Sequence, residues 1–284
     1  MINMQPALRQ ALPKDQASIA SLMYFESHVH RHLDWRGPLE WLGAPEYWIL
    51  ENKGRIAAAL ACPPDPEGVA WLRLFARASD VPLYNAWTTL WEHASGFLAG
   101  SGLTVAAITV SDWFSDLLKD SGFTSTQEIV VLEHKAKAFE QRLPPAGLVI
   151  REMVEADLPS VTRVDWDGFD RLWRNSAPAI QSGLMQAGFA VVAVLNDEIV
   201  GYQISTHNSY GAHLARLAVA SKMQGQGIGY LLIQDLLNKC RQIGLYRLTV
   251  NTQSDNQKSL ALYRRIGFDL TGEHYAVFTY PFQL

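Results

Sequence analysis

The stretch "LAVASKMQGQGIGYLLIQDLL", Leu217 to Leu237, decides how this chain is read. It opens on an apolar run suited to a strand and closes on a helix. Ile228, Leu231, Leu232, Leu236, Leu237, Cys240 and Ile243 recur at three- and four-residue spacing, and Gly244 is placed to end the helix. Between the two, "QGQGIG" (Gln224 to Gly229) holds three glycines in six positions, although each glycine costs a helix about 1 kcal/mol relative to alanine. A strand passing through such a turn into a helix gathers unpaired backbone N–H groups at the positive helix end, a ready site for phosphate. Two familiar phosphate loops fail on the letters. A Walker loop needs Gly-Lys followed by Ser or Thr, whereas Gly229 is followed by Tyr230 and Leu231. A dinucleotide fingerprint needs G-x-G-x-x-G, whereas Gly225, Gly227 and Gly229 give G-x-G-x-G with no acidic residue at the expected later position.

The bulk numbers bound the rest. A chain of 284 residues suggests about two domains at roughly 150 residues each. With 48% hydrophobic and 18% charged residues it has the composition of a folded protein that buries a sizeable core. The net charge of -4, without a run of Lys or Arg, gives no reason to expect nucleic acid or a membrane surface as partner. Apolar runs such as "AVVAVL" at 190–195 fall short of a membrane span, and "MINMQPALRQ" has no signal-peptide core, so a cytoplasmic location is expected. Cys62 and Cys240 stand far apart with no Cys/His cluster, which predicts neither a disulfide framework nor a metal site.

The chain reads as written twice. "LRQALPKDQASIASL" from Leu8 lies over "IREMVEADLPSVTRV" from Ile150, pairing Arg9 with Arg151 and Asp15 with Asp157 at an offset of 142. "ILENKGRIAAAL" from Ile49 lies over "VAVLNDEIVGYQ" from Val192 at 143, and "LLKDSGF" ending at Phe123 over "LYRRIGF" ending at Phe268 at 145. The expected organisation is a first copy in 1–140, a linker in 141–148 built on "QRLPPAG" (Gln141 to Gly147), and a second copy in 149–284. The second copy reads as strand, helical region, two-strand hairpin, strand, helix, strand, helix, strand, a mixed α/β unit.

Gln224-x-x-Gly227-x-Gly229 after "LAV", followed by Asn256, Ser259 and Tyr263 in N-x-x-S-x-x-x-Y and then Gly267-Phe268, resembles the GNAT family of N-acetyltransferases. The resemblance covers Ile150 to about Tyr280. It implies two tandem GNAT-like domains and acetyl-CoA as co-substrate. It also implies coenzyme binding by the main chain of Leu217, Ala218 and Val219 and by Gln224, Gly225, Gln226, Gly227, Ile228 and Gly229, with Asn256 capping the last helix and touching the coenzyme. The first copy departs from the pattern: where the second has "VASKMQGQGIG", it has "FARASDVPLYNAW" with Asp80, Pro82, Leu83 and Tyr84. A degenerate first domain without coenzyme is expected.

Acetyl transfer to an amine needs a neutral amine, a donor for the developing oxyanion and a proton for the departing thiolate. By resemblance Tyr263 supplies that proton, a phenol being protonated at neutral pH, and a main-chain N–H near Leu217 or Ala218 meets the oxyanion. Many family members carry a glutamate on the strand entering the loop, yet no Asp or Glu lies between Ile199 and Ala220. His213 shares strand parity with Leu217 and Val219 and is the candidate base; His207 and His274 are looser ones. An acceptor amine of low basicity needs no base. "VDWDGFDRLW" carries Asp165, Asp167 and Asp170, which either attract a cationic amine or form the solvated face of an amphipathic helix with Trp166, Phe169 and Trp173 opposite. The reading is an acetyl-CoA-dependent N-acetyltransferase acting on a primary amine by direct attack, monomeric or homodimeric. An acyl-CoA-binding sensor without catalysis is the alternative, and an aminoacyl-tRNA-dependent tandem transferase a more distant one.

Overall fold

The computed structural model describes residues 7–282. It divides into two compact units, one running to Thr126 and taking up again at Ala276, the other Gln127–Tyr275. This differs from the boundaries read in the sequence at two places: residues 127–140 lie in the second unit and the chain from Ala276 lies in the first.

The first unit contains β1 (Ala7–Gln10), α1 (Gln16–Phe25), β2 (His28–Arg31), β3 (Tyr47–Asn52), β4 (Arg55–Ala61), β5 (Val69–Trp71), β6 (Leu74–Arg77), α2 (Leu83–Leu98), β7 (Thr104–Ile108) and α3 (Asp112–Asp120). After these comes β8 (Thr124–Lys135), most of which belongs to the second unit. The second unit continues with β9 (Leu148–Glu152), α4 (Leu158–Gly168), α5 (Ala177–Met185), β10 (Phe189–Leu195), β11 (Glu198–Asn208), β12 (Gly211–Val219), α6 (Ile228–Gln242), β13 (Arg247–Gln253) and α7 (Gln257–Ile266). The last strand, β14 (Asp269–Tyr280), begins there and ends in the first unit.

In the first unit the strands run β1–β3–β4–β6–β2, and β5 pairs in parallel with β7, which pairs in turn with Val277–Tyr280 of β14. Its core is aromatic. Trp87 and Trp91 on one face of α2 pack with Phe75, Phe114 and Phe123. In the second unit β8, β13, β12, β11, β10 and β9 are neighbours in that order; β12 and β13 are parallel and the other pairs antiparallel. The apolar stripe of α6 (Leu232, Ile233, Leu236, Leu237, Cys240) is buried, and both Cys62 and Cys240 are buried free thiols.

The repeat seen in the letters is built in the atoms of each unit. Arg9 donates to both oxygens of Asp15 at 2.7 and 2.9 Å, and Arg151 to those of Asp157 at 2.7 and 2.8 Å. Each carboxylate also accepts a backbone N–H three residues earlier, from Leu12 at 2.8 Å and from Val154 at 2.9 Å, so each closes the turn into its helix. The Gly-Phe pairs end α3 and α7 alike. Gly122 and Gly267 take φ of +87° and +105°, and the following Phe N–H returns to Leu118 and Tyr263 carbonyls, both at 3.0 Å.

The segment read as a linker lies along α6. The Arg142 N–H donates to Gln234 Oε1 at 2.8 Å, Gln234 Nε2 to the Arg142 carbonyl at 2.9 Å, and the Tyr230 hydroxyl to the Glu140 carbonyl at 2.8 Å. No helix among the described residues is long and apolar enough to cross a membrane.

Candidate active site

The strand-turn-helix at Leu217 to Leu237 is folded as its letters imply. Gly227 caps α6 in the left-handed region at φ +84°, and Gly225 takes +79°, where a side chain is strained. A Cβ added at either would meet nothing within 4 Å, so it is the backbone conformation, with open space beside it, that calls for glycine. Gly229 has a different reason: a Cβ there would come within 3.1 Å of Leu262 Cδ2. The first intrahelical bond is from the Leu231 N–H to the Gly227 carbonyl at 3.1 Å, which leaves the amides of Ile228, Gly229 and Tyr230 as the helix's unpaired N-terminal donors. No acidic residue occupies that first turn, so nothing there opposes an anion.

Side chains brace the loop from outside. Gln224 Nε2 donates to the Val219 carbonyl at 3.2 Å and Gln226 Nε2 to that of Lys222 at 3.3 Å. Asp167, at the end of α4, accepts from the Ser221 N–H at 2.6 Å and its hydroxyl at 3.0 Å; these bonds hold its carboxyl below the usual carboxylate range.

Before the loop, β12 parts from β13. Their pairing covers only Ala212 to Leu214 against Leu248 to Val250. The Ala220 N–H donates to the Val200 carbonyl at 2.8 Å, and alternation along an antiparallel ladder then turns the main-chain groups of Ala218 and Arg216 toward β11 and those of Leu217 and Val219 toward the gap. Of the three residues expected to offer backbone to the coenzyme, Leu217 and Val219 face the open edge and Ala218 does not.

The parity expected for His213 is corrected. The register of β11 against β12 slips between Ile204–Arg216 and Ser205–Leu214, a bulge at Ala215. One extra residue reverses the faces beyond it, so His213 shares its face with Arg216 and Ala218, not with Leu217 and Val219. Leu214 and Leu217 pack under α6. On the other face His213 Nδ1 lies 2.9 Å from Thr249 Oγ1, and burial lowers the pKa of the ring.

The acidic segment neither forms one long helix nor presents all its carboxylates to an amine. α4 ends at Gly168, and Arg171–Trp173 form a separate 3₁₀ turn. Asp165 is wholly buried. It accepts from the Tyr202 hydroxyl at 2.5 Å, Arg216 Nε at 2.7 Å and the Asn175 N–H at 2.8 Å. Arg216 also donates to the Trp173 carbonyl at 2.6 Å and lies 3.5 Å above the Phe169 ring. Asp165 therefore moors the chain from Phe169 to Asn175 onto the sheet, whereas Asp167, tied to the loop through Ser221, and Asp170 are both exposed.

Tyr263 is buried on α7 in a cluster with Leu214 and Val250, the last residues before the strands part, and burial pushes its hydroxyl pKa up. Asn256 Oδ1 caps α7 by accepting from the Ser259 N–H at 3.1 Å. His207 is exposed against Phe189, and His274 is exposed on β14. Sequence reasoning missed Glu133, which pairs with Thr249 across β8 and β13. It comes from the tail of the first repeat, and no local spacing points to it. Lys135 and then Arg247 hold its carboxylate, lowering its pKa. Among the described residues no group of three His, Cys, Asp or Glu is placed to hold a metal ion.

Residues 158–268 match the model of the acetyltransferase (GNAT) family. The second unit is a GNAT acetyltransferase domain. This GNAT domain is 29% identical over 85 residues to N-alpha-acetyltransferase 30 of Schizosaccharomyces pombe, 28% of this chain and 57% of that protein. It is 30% identical over 88 residues to a mycothiol acetyltransferase of Pseudarthrobacter chlorophenolicus, 29% of this chain and 27% of that one. The chain thus spans from about a quarter to just over half of these relatives' length. A tandem GNAT protein from the clavulanic acid biosynthesis pathway superposes with a TM-score of 0.65 at 13% identity, covering 99% of both chains, a likeness of fold.

Proposed function

We propose that the chain is an acetyl-CoA-dependent N-acetyltransferase of the cytoplasm, that its second unit transfers acetyl to a primary amine by direct attack, and that its first unit is a degenerate copy without coenzyme. The observation that carries the reading is the row of amides at Ile228 to Tyr230, unpaired among the described residues, behind two left-handed glycines and beside a strand edge on which the Leu217 main chain and the Val219 N–H face the gap. That row suits a pyrophosphate, and the open edge suits the amides of an extended pantetheine arm. Asn256, which caps α7, is the further contact assigned to the coenzyme.

The coenzyme supplies an acetyl thioester. The chain's residues do the rest. The Leu217 N–H donates to the developing negative charge on the thioester oxygen. His213 Nε2 takes the proton from the attacking nitrogen as the C–N bond forms, and the Tyr263 hydroxyl gives its proton to sulfur as the C–S bond breaks. Burial favours the required state of both groups, a neutral imidazole and a protonated phenol. With Asp165 buried against Tyr202 and Arg216 and Asp167 hydrogen-bonded to Ser221, Asp170 is the carboxylate of that segment left to meet a cationic acceptor.

A strand pairing in the first unit independently supports the reading that this unit takes no coenzyme. β5 and β6 correspond to the two halves of β12 at an offset of 143, and β7, parallel to β5, corresponds to β13. The edge of β6 equivalent to the open edge of β12 is taken: His28 to Arg31 of β2 pair with Arg77 to Leu74. The chain's own strand fills the place a coenzyme arm would take.

The test is release of free thiol from acetyl-CoA with a panel of small amines and peptides. Acceptor-dependent release, lowered by roughly 10-fold or more in Tyr263→Phe, is expected. Coenzyme binding with no acceptor-dependent release would overturn the reading in favour of a sensor.

A further inference from the structure

We infer that Thr249 is a positioning residue that fixes the tautomer of His213, so that Nε2 is the atom left free to accept a proton. The inference rests on the assignment of His213 as base. His213 and Thr249 are directly paired, one residue short of where β12 and β13 part. Thr249 Oγ1 lies 2.9 Å from His213 Nδ1 and 3.4 Å from the Ala212 carbonyl, toward which it donates. A hydroxyl has one proton. With that proton directed at a carbonyl, which can only accept, the hydroxyl oxygen accepts from Nδ1–H. The neutral ring then carries its lone pair on Nε2, which has no partner among the described residues.

The surroundings leave this bond to act alone. The ionisable groups on the same face of the neighbouring strands are mutually engaged, Arg216 with Asp165 and Glu133 with Arg247 and Lys135. Across β11 the paired residue is Thr206, which carries no charge. Among the described residues no charged side chain hydrogen-bonds the His213 ring.

The test uses the full-length protein. In wild type, nitrogen NMR of the His213 ring should show a proton on Nδ1; in Thr249→Val both tautomers should appear. Thr249→Val should lower kcat roughly 3- to 10-fold with the coenzyme KM unchanged. It should also move the acid limb of the kcat profile to lower pH, because the threonine oxygen stabilises the charged ring. Thr249→Ser should restore all three readouts. Full activity in His213→Gln would remove the base assignment itself. If His213→Gln is impaired while Thr249→Val keeps the wild-type tautomer and pH profile, the positioning inference falls and the base assignment stands.

Discussion

Arg216 meets Asp165 at 2.6 Å inside the second unit, with the carboxylate wholly out of solvent. Removing one member strands the other charge, a loss that typically costs about 3–5 kcal/mol, whereas replacing both by apolar groups is often near neutral. Asp165→Leu and Arg216→Met should each destabilise by about that amount, and the two together by clearly less than the sum. Urea denaturation of the four proteins measures the coupling. Additive losses would mean that the pair does not act as a unit.

His30 and His32 in the first unit should make it acid-sensitive. His30 is buried, donates from Nε2 to the Leu72 carbonyl at 2.9 Å and stacks 4.0 Å from Phe114. Burial pushes its pKa down to about 4, and that of His32 well below normal. The unfolded rings titrate near 6.5. Between about pH 6.5 and 4 the unfolded chain binds a proton that folded His30 refuses, so stability is held above 6.5 and lost as pH falls toward 4. For His30 alone the loss approaches roughly 3 kcal/mol. His30→Gln, which keeps a donor for Leu72, should flatten the stability-versus-pH curve over this window by about one proton. An unchanged slope would contradict it.

On the proposed reading, the occupied edge of β6 limits the chain to one coenzyme. With β2 seated there, saturating coenzyme should bind at one equivalent per chain, measured by equilibrium dialysis. Two equivalents would mean that the strand gives way.

Much of this was legible because it is local. The glycines and the stripe of α6 specify a strand-turn-helix wherever they occur, and Arg9–Asp15 and Arg151–Asp157 are six residues apart, so the turns they close can be read from spacing. What the letters hid depends on register and on distant partners. The bulge at Ala215 turned His213 to the other face, because parity counts only while the ladder is unbroken. Asp165 looked available to a ligand since nothing near it in sequence announces Tyr202 and Arg216, 37 and 51 residues on. The strand at His28 to Arg31, too short and polar to read as a core strand, proved to fill the edge of β6. Unit boundaries escaped for a similar reason: "QRLPPAG" carries linker composition, but Gln234 and Tyr230 tie it and the residues before it to α6.

The most direct measurement is calorimetric titration of acetyl-CoA into the wild-type chain and into Gly227→Val. A β-branched residue at φ +84° strains the turn by about 1–2 kcal/mol and sets carbon where the phosphates approach. Wild type should bind with measurable heat, and the variant, with its circular dichroism preserved, should lose at least about tenfold in affinity. Undiminished binding by the variant, or no heat from the wild type, would contradict the assignment of the Gly225 to Gly229 backbone as the coenzyme's grip.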